Sequence, residues 1–270
     1  MQLKQKRFGQ KAYVCDNVAG SISRLQPMAS AVTTEDFYFD VGEERLAGTR
    51  VLSSSGNAPS VVTFHGLGVK AGRASIRHVL NHLAGLGLSS ICFDFSGNGD
   101  SSGKFECTNL RIRAAESLAA ARLLADNAPS ALIGTSMGAH LAALASQTLQ
   151  PRSLILFCPA AYPENAIEEP FDERFDRFSN RVTTPEALRA SPALRALRSF
   201  KGNLLVIAAE EDNVIPRHVI DLYLESAADA KSSRVVWLAG CDHFVHPWLV
   251  KHSTEQAMVL RAIDSAVLGG

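Results

Sequence analysis

The chain has no excess of either charge: 27 Lys and Arg balance 27 Asp and Glu over 270 residues. A neutral chain presents no global field to nucleic acid or to an anionic membrane, so neither is expected as a partner. Cysteine is sparse, and Cys15, Cys92, Cys107, Cys158 and Cys241 are scattered without a C-x-x-C pair. This speaks against a disulfide framework or a structural zinc site. There is no H-E-x-x-H or other metal spacing, and no metal is expected. The glycines of Ser96-Gly97-Asn98-Gly99-Asp100 lack the lysine and spacing of a Walker loop and do not complete G-x-G-x-x-G. They read as a turn flooring a site, and no cofactor is expected. No uninterrupted apolar run approaches membrane-spanning length. No apolar h-region follows the basic, polar start from Met1 to Lys11, so a secretory signal is not expected either. The expected compartment is a reducing cytoplasm, and oligomeric state is not legible.

What is present is ordinary globular composition, 46% hydrophobic and 20% charged. The length suffices for one large domain. Residues 1–33 show no clear period and read as an N-terminal extension, with a single domain over 34–270. Asp36 to Val41 and Arg45 to Val51 read as a hairpin around Gly42-Glu43-Glu44. From Ser60 onward, strands alternate with helices. Expected strands are Ser60–Phe64, Ser89–Phe95, the run ending at Gly134, Ser153–Phe157, Leu204–Ala208 and Arg234–Leu238. Expected helices are Ser75–Leu86, Leu110–Ala125, the segment after Ser136, Pro216–Ser226 and Thr254–Val267. The strands are apolar throughout rather than alternating, as in strands buried on both faces. The fold class is therefore α/β, with a mostly parallel central sheet flanked by helices. Ligands in such sheets bind beyond the carboxyl ends of the strands.

The alternation breaks between about 158 and 202, where Pro159, Pro163, Pro170, Pro185 and Pro192 fall. The stretch is too long for an ordinary connection and reads as a small inserted lid. Phe171, Phe175 and Phe178 recur at helical spacing. Either they anchor the lid to the core or they line an apolar substrate pocket over Ser136. Arg174, Arg177 and Arg181 read as a solvated helix face.

The chain is organised around Gly134-Thr135-Ser136-Met137-Gly138, set between an apolar run and an Ala-rich helical segment. That is the strand–turn–helix context of a nucleophile elbow, with two glycines that let strand and helix approach closely. A serine hydroxyl is a weak nucleophile. It needs a positioned base, an acid to orient that base, and N–H donors for the developing oxyanion. Asp212 is the chosen acid, at the end of a buried strand, with Glu210 and Glu211 as competitors. His243 is the chosen base, after the last strand, with His246 as its rival. The oxyanion donors are expected to be the backbone N–H groups of Met137 and Leu67, the latter in the loop after the strand ending at His65-Gly66. Asp94 and Asp100 read as turn and hydrogen-bonding residues.

Five segments in one order carry a family resemblance: His65-Gly66-Leu67-Gly68, Asp94 to Gly103, Gly134 to Gly138, Glu211 to Pro216, and Gly240-Cys241-Asp242-His243-Phe244. From about Asp36 to its end, the chain resembles the serine α/β-hydrolase superfamily. The loop from Asp94 to Glu106 is similar to that of feruloyl/cinnamoyl esterases and related serine-aminopeptidase-like hydrolases. The resemblance implies the α/β-hydrolase fold, with Ser136 as nucleophile, Asp212 as orienting acid and His243 as base. It also implies Leu67 and Met137 as oxyanion-hole amides. Many relatives carry His before the nucleophile, where this chain has Thr135. Dehalogenases and epoxide hydrolases place Asp at the elbow, and Ser136 argues against both. The expected activity is hydrolysis of a carboxylic ester with a small or medium apolar or aromatic acyl group. The same residues would equally serve a thioesterase, lactonase or amidase. A non-catalytic small-molecule-binding protein on this fold is the reading from another class.

Overall fold

The computed structural model describes residues 32–125, 128–172 and 184–269. The eight strands are β1 (Thr33–Val41), β2 (Glu44–Leu52), β3 (Val61–Phe64), β4 (Ser90–Phe93), β5 (Ala131–Thr135), β6 (Ser153–Phe157), β7 (Asn203–Ala209) and β8 (Ser232–Leu238). They form one sheet in the order β1-β2-β4-β3-β5-β6-β7-β8. The β1/β2 and β2/β4 pairs are antiparallel, and all pairs from β4 to β8 are parallel. With helices on both faces, this is the α/β-hydrolase fold.

The helices are α1 (Arg77–Gly85), α2 (Leu110–Ala121), α3 (Met137–Leu149), α4 (Pro185–Leu188), α5 (Pro192–Leu197), α6 (Arg217–Ser226), α7 (Val245–Lys251) and α8 (Ser253–Leu268). Period-2 alternation within the strands sorts the core into two layers. Leu132, Leu154, Leu156, Leu204 and Val206 point to the layer holding α2, α3, α5 and α6. Ile133, Ile155, Phe157, Leu205 and Ile207 point to the layer holding α1, α7 and α8. Both faces are apolar, which is why these strands carry no polar alternation. From β3 the chain moves to β4 on one side and then to β5 on the other. This topological switch opens a crevice at the carboxyl ends of β3 and β5.

Several boundaries differ from expectation. The helix expected to reach Ala125 stops at Ala121, with Arg122 as its C-cap. Pro216 caps α6 in an extended conformation instead of opening it. Helix α7 is not among the expected helices; it carries Pro247 in its first turn, where the missing N–H has no helical partner. Within the segment expected as a lid, Leu188, Leu194, Leu197 and Phe200 are buried in the main core. Phe175, Phe178, Arg174, Arg177 and Arg181 lie outside the described residues, as do residues 1–31.

Candidate active site

Strand β5 delivers Ser136 to a turn with φ +53° and ψ −114°, a rare conformation for a residue with a side chain. The surroundings hold it there. The Ser136 N–H donates to the Phe157 carbonyl at 2.9 Å, and the Ala160 N–H donates to the Ser136 carbonyl at 3.2 Å. The glycines explain how the elbow fits. A Cβ on Gly134 would lie 2.3 Å from the Gly138 carbonyl oxygen, and one on Gly138 would lie 2.0 Å from that of Phe64. Only hydrogen can occupy these positions without moving backbone. Helix α3 starts at Met137, so the Met137 N–H is among the first-turn donors that have no partner within the helix.

The two other groups come from neighbouring strand ends. Asp212 follows β7 and faces inward, while Glu210 and Glu211 are exposed. Its Oδ1 accepts from the Val214 and Ile215 amides, both at 2.8 Å. Its Oδ2 lies 2.9 Å from His243 Nδ1, and His243 Nε2 lies 3.1 Å from Ser136 Oγ. A carboxylate only accepts, so Nδ1 carries the proton and Nε2 is left to accept from the serine. Burial works to raise the Asp212 carboxyl. The bonds from His243, Ile215 and Val214 outweigh it and hold the group below the ordinary carboxylate range. The acid and base loops are tied by the Glu211 N–H, which donates to the Cys241 carbonyl at 2.9 Å. Gly240, at φ +70°, makes the turn out of β8.

His246 has a different partner. It is buried, with Nε2 2.7 Å from Thr135 Oγ1. His65 is also a buried scaffold group. Its Nε2 accepts from the Phe95 N–H at 3.1 Å, and its Nδ1 lies 2.8 Å from the Gly66 carbonyl. Phe171 is buried, with its ring 5.5 Å from that of Phe105 and stacked under the Arg113 guanidinium. Those contacts belong to the α2 side of the core.

Asn98 and Cys158 are supporting residues that the sequence reading gave no role at the site, while Asp94 and Asp100 take the hydrogen-bonding role expected of them. Asn98 Nδ2 donates to the carbonyls of Gly68, Val69 and Ala71, at 2.8, 3.3 and 3.1 Å, and so pins the loop that carries Leu67. Asp94 accepts from the Arg73 N–H at 2.7 Å and pairs with the Arg73 guanidinium, which also reaches Asp100 at 2.8 Å. Cys158 follows β6 at φ +42°. Its thiol lies within 4.8 Å of the Asp212 carboxylate, and burial, with the Asp212 charge adding to it, pushes that thiol far above the usual range. An asparagine inside a glycine-rich loop was a usable signal for Asn98. Cys158 gave none, since it reads as a small buried hydrophobe.

A serine, a histidine and a carboxylate thus stand in hydrogen-bonded sequence at the strand ends of an α/β-hydrolase fold. The chain is similar to serine α/β-hydrolases over part of its length and in fold. Residues 57–187 match the family described as serine aminopeptidase, S33. Two uncharacterized proteins from Mycobacterium tuberculosis strains are each 28% identical over 196 residues, covering 71% of this chain and 65% of their own length. The chain thus spans somewhat less than two thirds of those relatives. Among solved structures, Est1E of Butyrivibrio proteoclasticus with ferulic acid bound has a TM-score of 0.61 at 19% identity, covering 83% of this chain and 98% of its own. A thioesterase domain from the curacin biosynthetic pathway has a TM-score of 0.61 at 18% identity, covering 84% and 99%. An α/β serine hydrolase without lid from Xanthomonas campestris has a TM-score of 0.57 at 18% identity, covering 91% and 96%. These likenesses concern the fold. Among the described residues, no helix is long and apolar enough to cross a membrane.

Proposed function

We propose that this protein is a serine hydrolase that cleaves carboxylic esters of small or medium apolar acyl groups through an acyl-enzyme. The observation that carries this reading is the run from Asp212 through His243 to Ser136, with separations of 2.9 and 3.1 Å. In the proposed reaction Ser136 Oγ attacks the ester carbonyl while His243 Nε2 takes its proton. The oxyanion is held by the Met137 and Leu67 amides. Collapse of the intermediate expels the alcohol, which takes the proton back from His243. Water then attacks the acyl-serine with His243 again as base, releasing the acid and restoring Ser136. Asp212 stabilises the imidazolium that forms in each half-reaction.

An apolar substrate is supported by the rim. Phe244, next to His243, is 70% exposed, and Val214 and Val69, on the acid and oxyanion loops, are exposed as well. Their loops are fixed: the Phe244 N–H donates to Asp242 Oδ1 at 2.9 Å, while Asp212 and Asn98 hold the other two. Such side chains gain from covering by an apolar ligand. The likeness to a thioesterase domain supports thioesters as the second substrate class.

The test is intact-mass measurement after treatment with a fluorophosphonate. One adduct on the native chain, absent from Ser136→Ala, is expected. No adduct on folded native protein would overturn the hydrolase reading and favour a binding protein. Ester and thioester panels at equal concentration then separate the two substrate classes.

A further inference from the structure

The ligand atoms of Cys158, Asp212 and His243 all lie within 4.8 Å of one another. We propose that these three residues form an inhibitory zinc site that switches off the Ser136–His243 relay. The inhibition, though not the binding, rests on the hydrolase reading above.

The donor set is a thiolate, an imidazole and a carboxylate, which suits a borderline-soft divalent ion. Three protein ligands leave a fourth tetrahedral position for water. The thiolate and the carboxylate carry two negative charges, matching Zn2+. Tetrahedral ligands with bonds of about 2.0–2.3 Å stand roughly 3.3–3.6 Å apart. His243 Nδ1 and Asp212 Oδ2 are now 2.9 Å apart. An opening of roughly half an ångström between these two, by rotation of the His243 ring, and an approach of the Cys158 thiol from within 4.8 Å bring the three donors to ligand spacing. The outer contacts are already built. Asp212 Oδ1 is fixed by two amides. A proton on His243 Nε2 would face Ser136 Oγ, now at 3.1 Å, which can accept it.

The proton balance explains the inhibition. Zinc takes the Nδ1 lone pair, so the imidazole proton moves to Nε2. The Cys158 thiol loses its proton to solvent as the Zn–S bond forms. No oxidation occurs, and one proton is released per zinc bound. With Nε2 protonated, His243 donates to Ser136 and cannot take its proton. Metal occupancy and catalysis therefore exclude each other.

The test has two arms on the full chain. In Ser136→Ala protein, titration with Co2+ is expected to give a thiolate-to-cobalt charge-transfer band and tetrahedral d–d bands, both lost when Cys158→Ala is added. Cys158→Gly, which suits the left-handed backbone, serves if the alanine variant does not fold. In the second arm, Zn2+ inhibits ester hydrolysis reversibly with EDTA. Removing the thiol raises the half-inhibitory concentration at least about tenfold, each variant being compared with its own zinc-free rate. Absence of the thiolate band, or its survival without Cys158, overturns the site. Equal zinc sensitivity with and without Cys158 overturns the inhibition. If the protein hydrolyses no ester, the cobalt arm alone decides whether the site exists, separately from the activity.

Discussion

His246 Nε2 sits 2.7 Å from the hydroxyl of Thr135, the residue immediately before Ser136. The imidazole is buried against the Phe157 ring, with centroids 4.7 Å apart, and its Nδ1 has no hydrogen-bond partner among the described residues. The Thr135 hydroxyl is thus the polar contact that locks helix α7 to the elbow. Thr135→Val keeps the shape and strands Nε2, at an expected cost of about 1–3 kcal/mol. Adding His246→Leu should recover part of that loss. Denaturant unfolding of the two single variants and the double variant checks it: a coupling below about 0.5 kcal/mol would deny the bond any role.

Asn98 acts on the loop that carries Leu67 without touching the reacting groups. Asn98→Ala frees three carbonyls and lets the Leu67 amide drift. A displacement near one ångström at a reacting centre costs up to about 100-fold. The expected outcome is a fall of about 10–100-fold in kcat with little change in melting temperature. Steady-state kinetics beside a thermal melt separate this from simple unfolding.

Gly138→Ala should be among the most damaging small substitutions, because its Cβ would strike the backbone carbonyls of Phe64 and His65, at 2.0 and 2.6 Å. Overpacking against rigid backbone costs at least about 1–3 kcal/mol. Gly85→Ala, at the end of α1 with nothing within 4 Å of the added carbon, is the matched control. It should be neutral or stabilising by up to about 1 kcal/mol. Equal melting temperatures for the two variants would contradict the close approach at the elbow.

Burial drives three histidines far below their ordinary range: His65 to about 4, with Arg113 adding to the effect, and His140 and His246 to about 3. All three are neutral in the folded protein at pH 7, whereas in the unfolded chain they take up protons near pH 6.5. The unfolded state therefore binds more protons at mildly acid pH. Their contribution to stability is complete above about pH 6.5 and is lost as pH falls toward 4. Each contributes a slope of about 1.4 kcal/mol per pH unit, so the three together give roughly 4 near pH 5. Denaturant midpoints between pH 7 and 4.5 should show this slope, and His140→Gln should remove about a third of it.

The legible part of this protein was whatever is written in local pattern. The apolar runs of β3 to β7 are buried on both faces, so their residues announce strands directly. The elbow was readable because Gly134 and Gly138 must be glycine for the turn to close, and the order of the acid and base loops followed from the strands they terminate. Helix α7 was not readable, because Pro247 is a breaker in general and harmless only in a first turn.

Choices between neighbours were a different matter. Asp212, Glu210 and Glu211 are chemically alike in sequence. The Val214 and Ile215 amides turn Asp212 inward, and Glu210 and Glu211 remain exposed. His243 and His246 are three residues apart, yet one meets Ser136 and the other Thr135, because α7 begins between them and rotates the second toward the core. The placement of Cys158 beside Asp212 joins strand ends 54 positions apart in the chain, a proximity that no local pattern encodes. Local pattern in the chain specifies the strands, most of the longer helices, their order and the chemical types at each strand end. Which side chains face one another was decided by tertiary structure, since hydrogen-bond distance between separate loops exists only once the parallel sheet has brought their strands side by side.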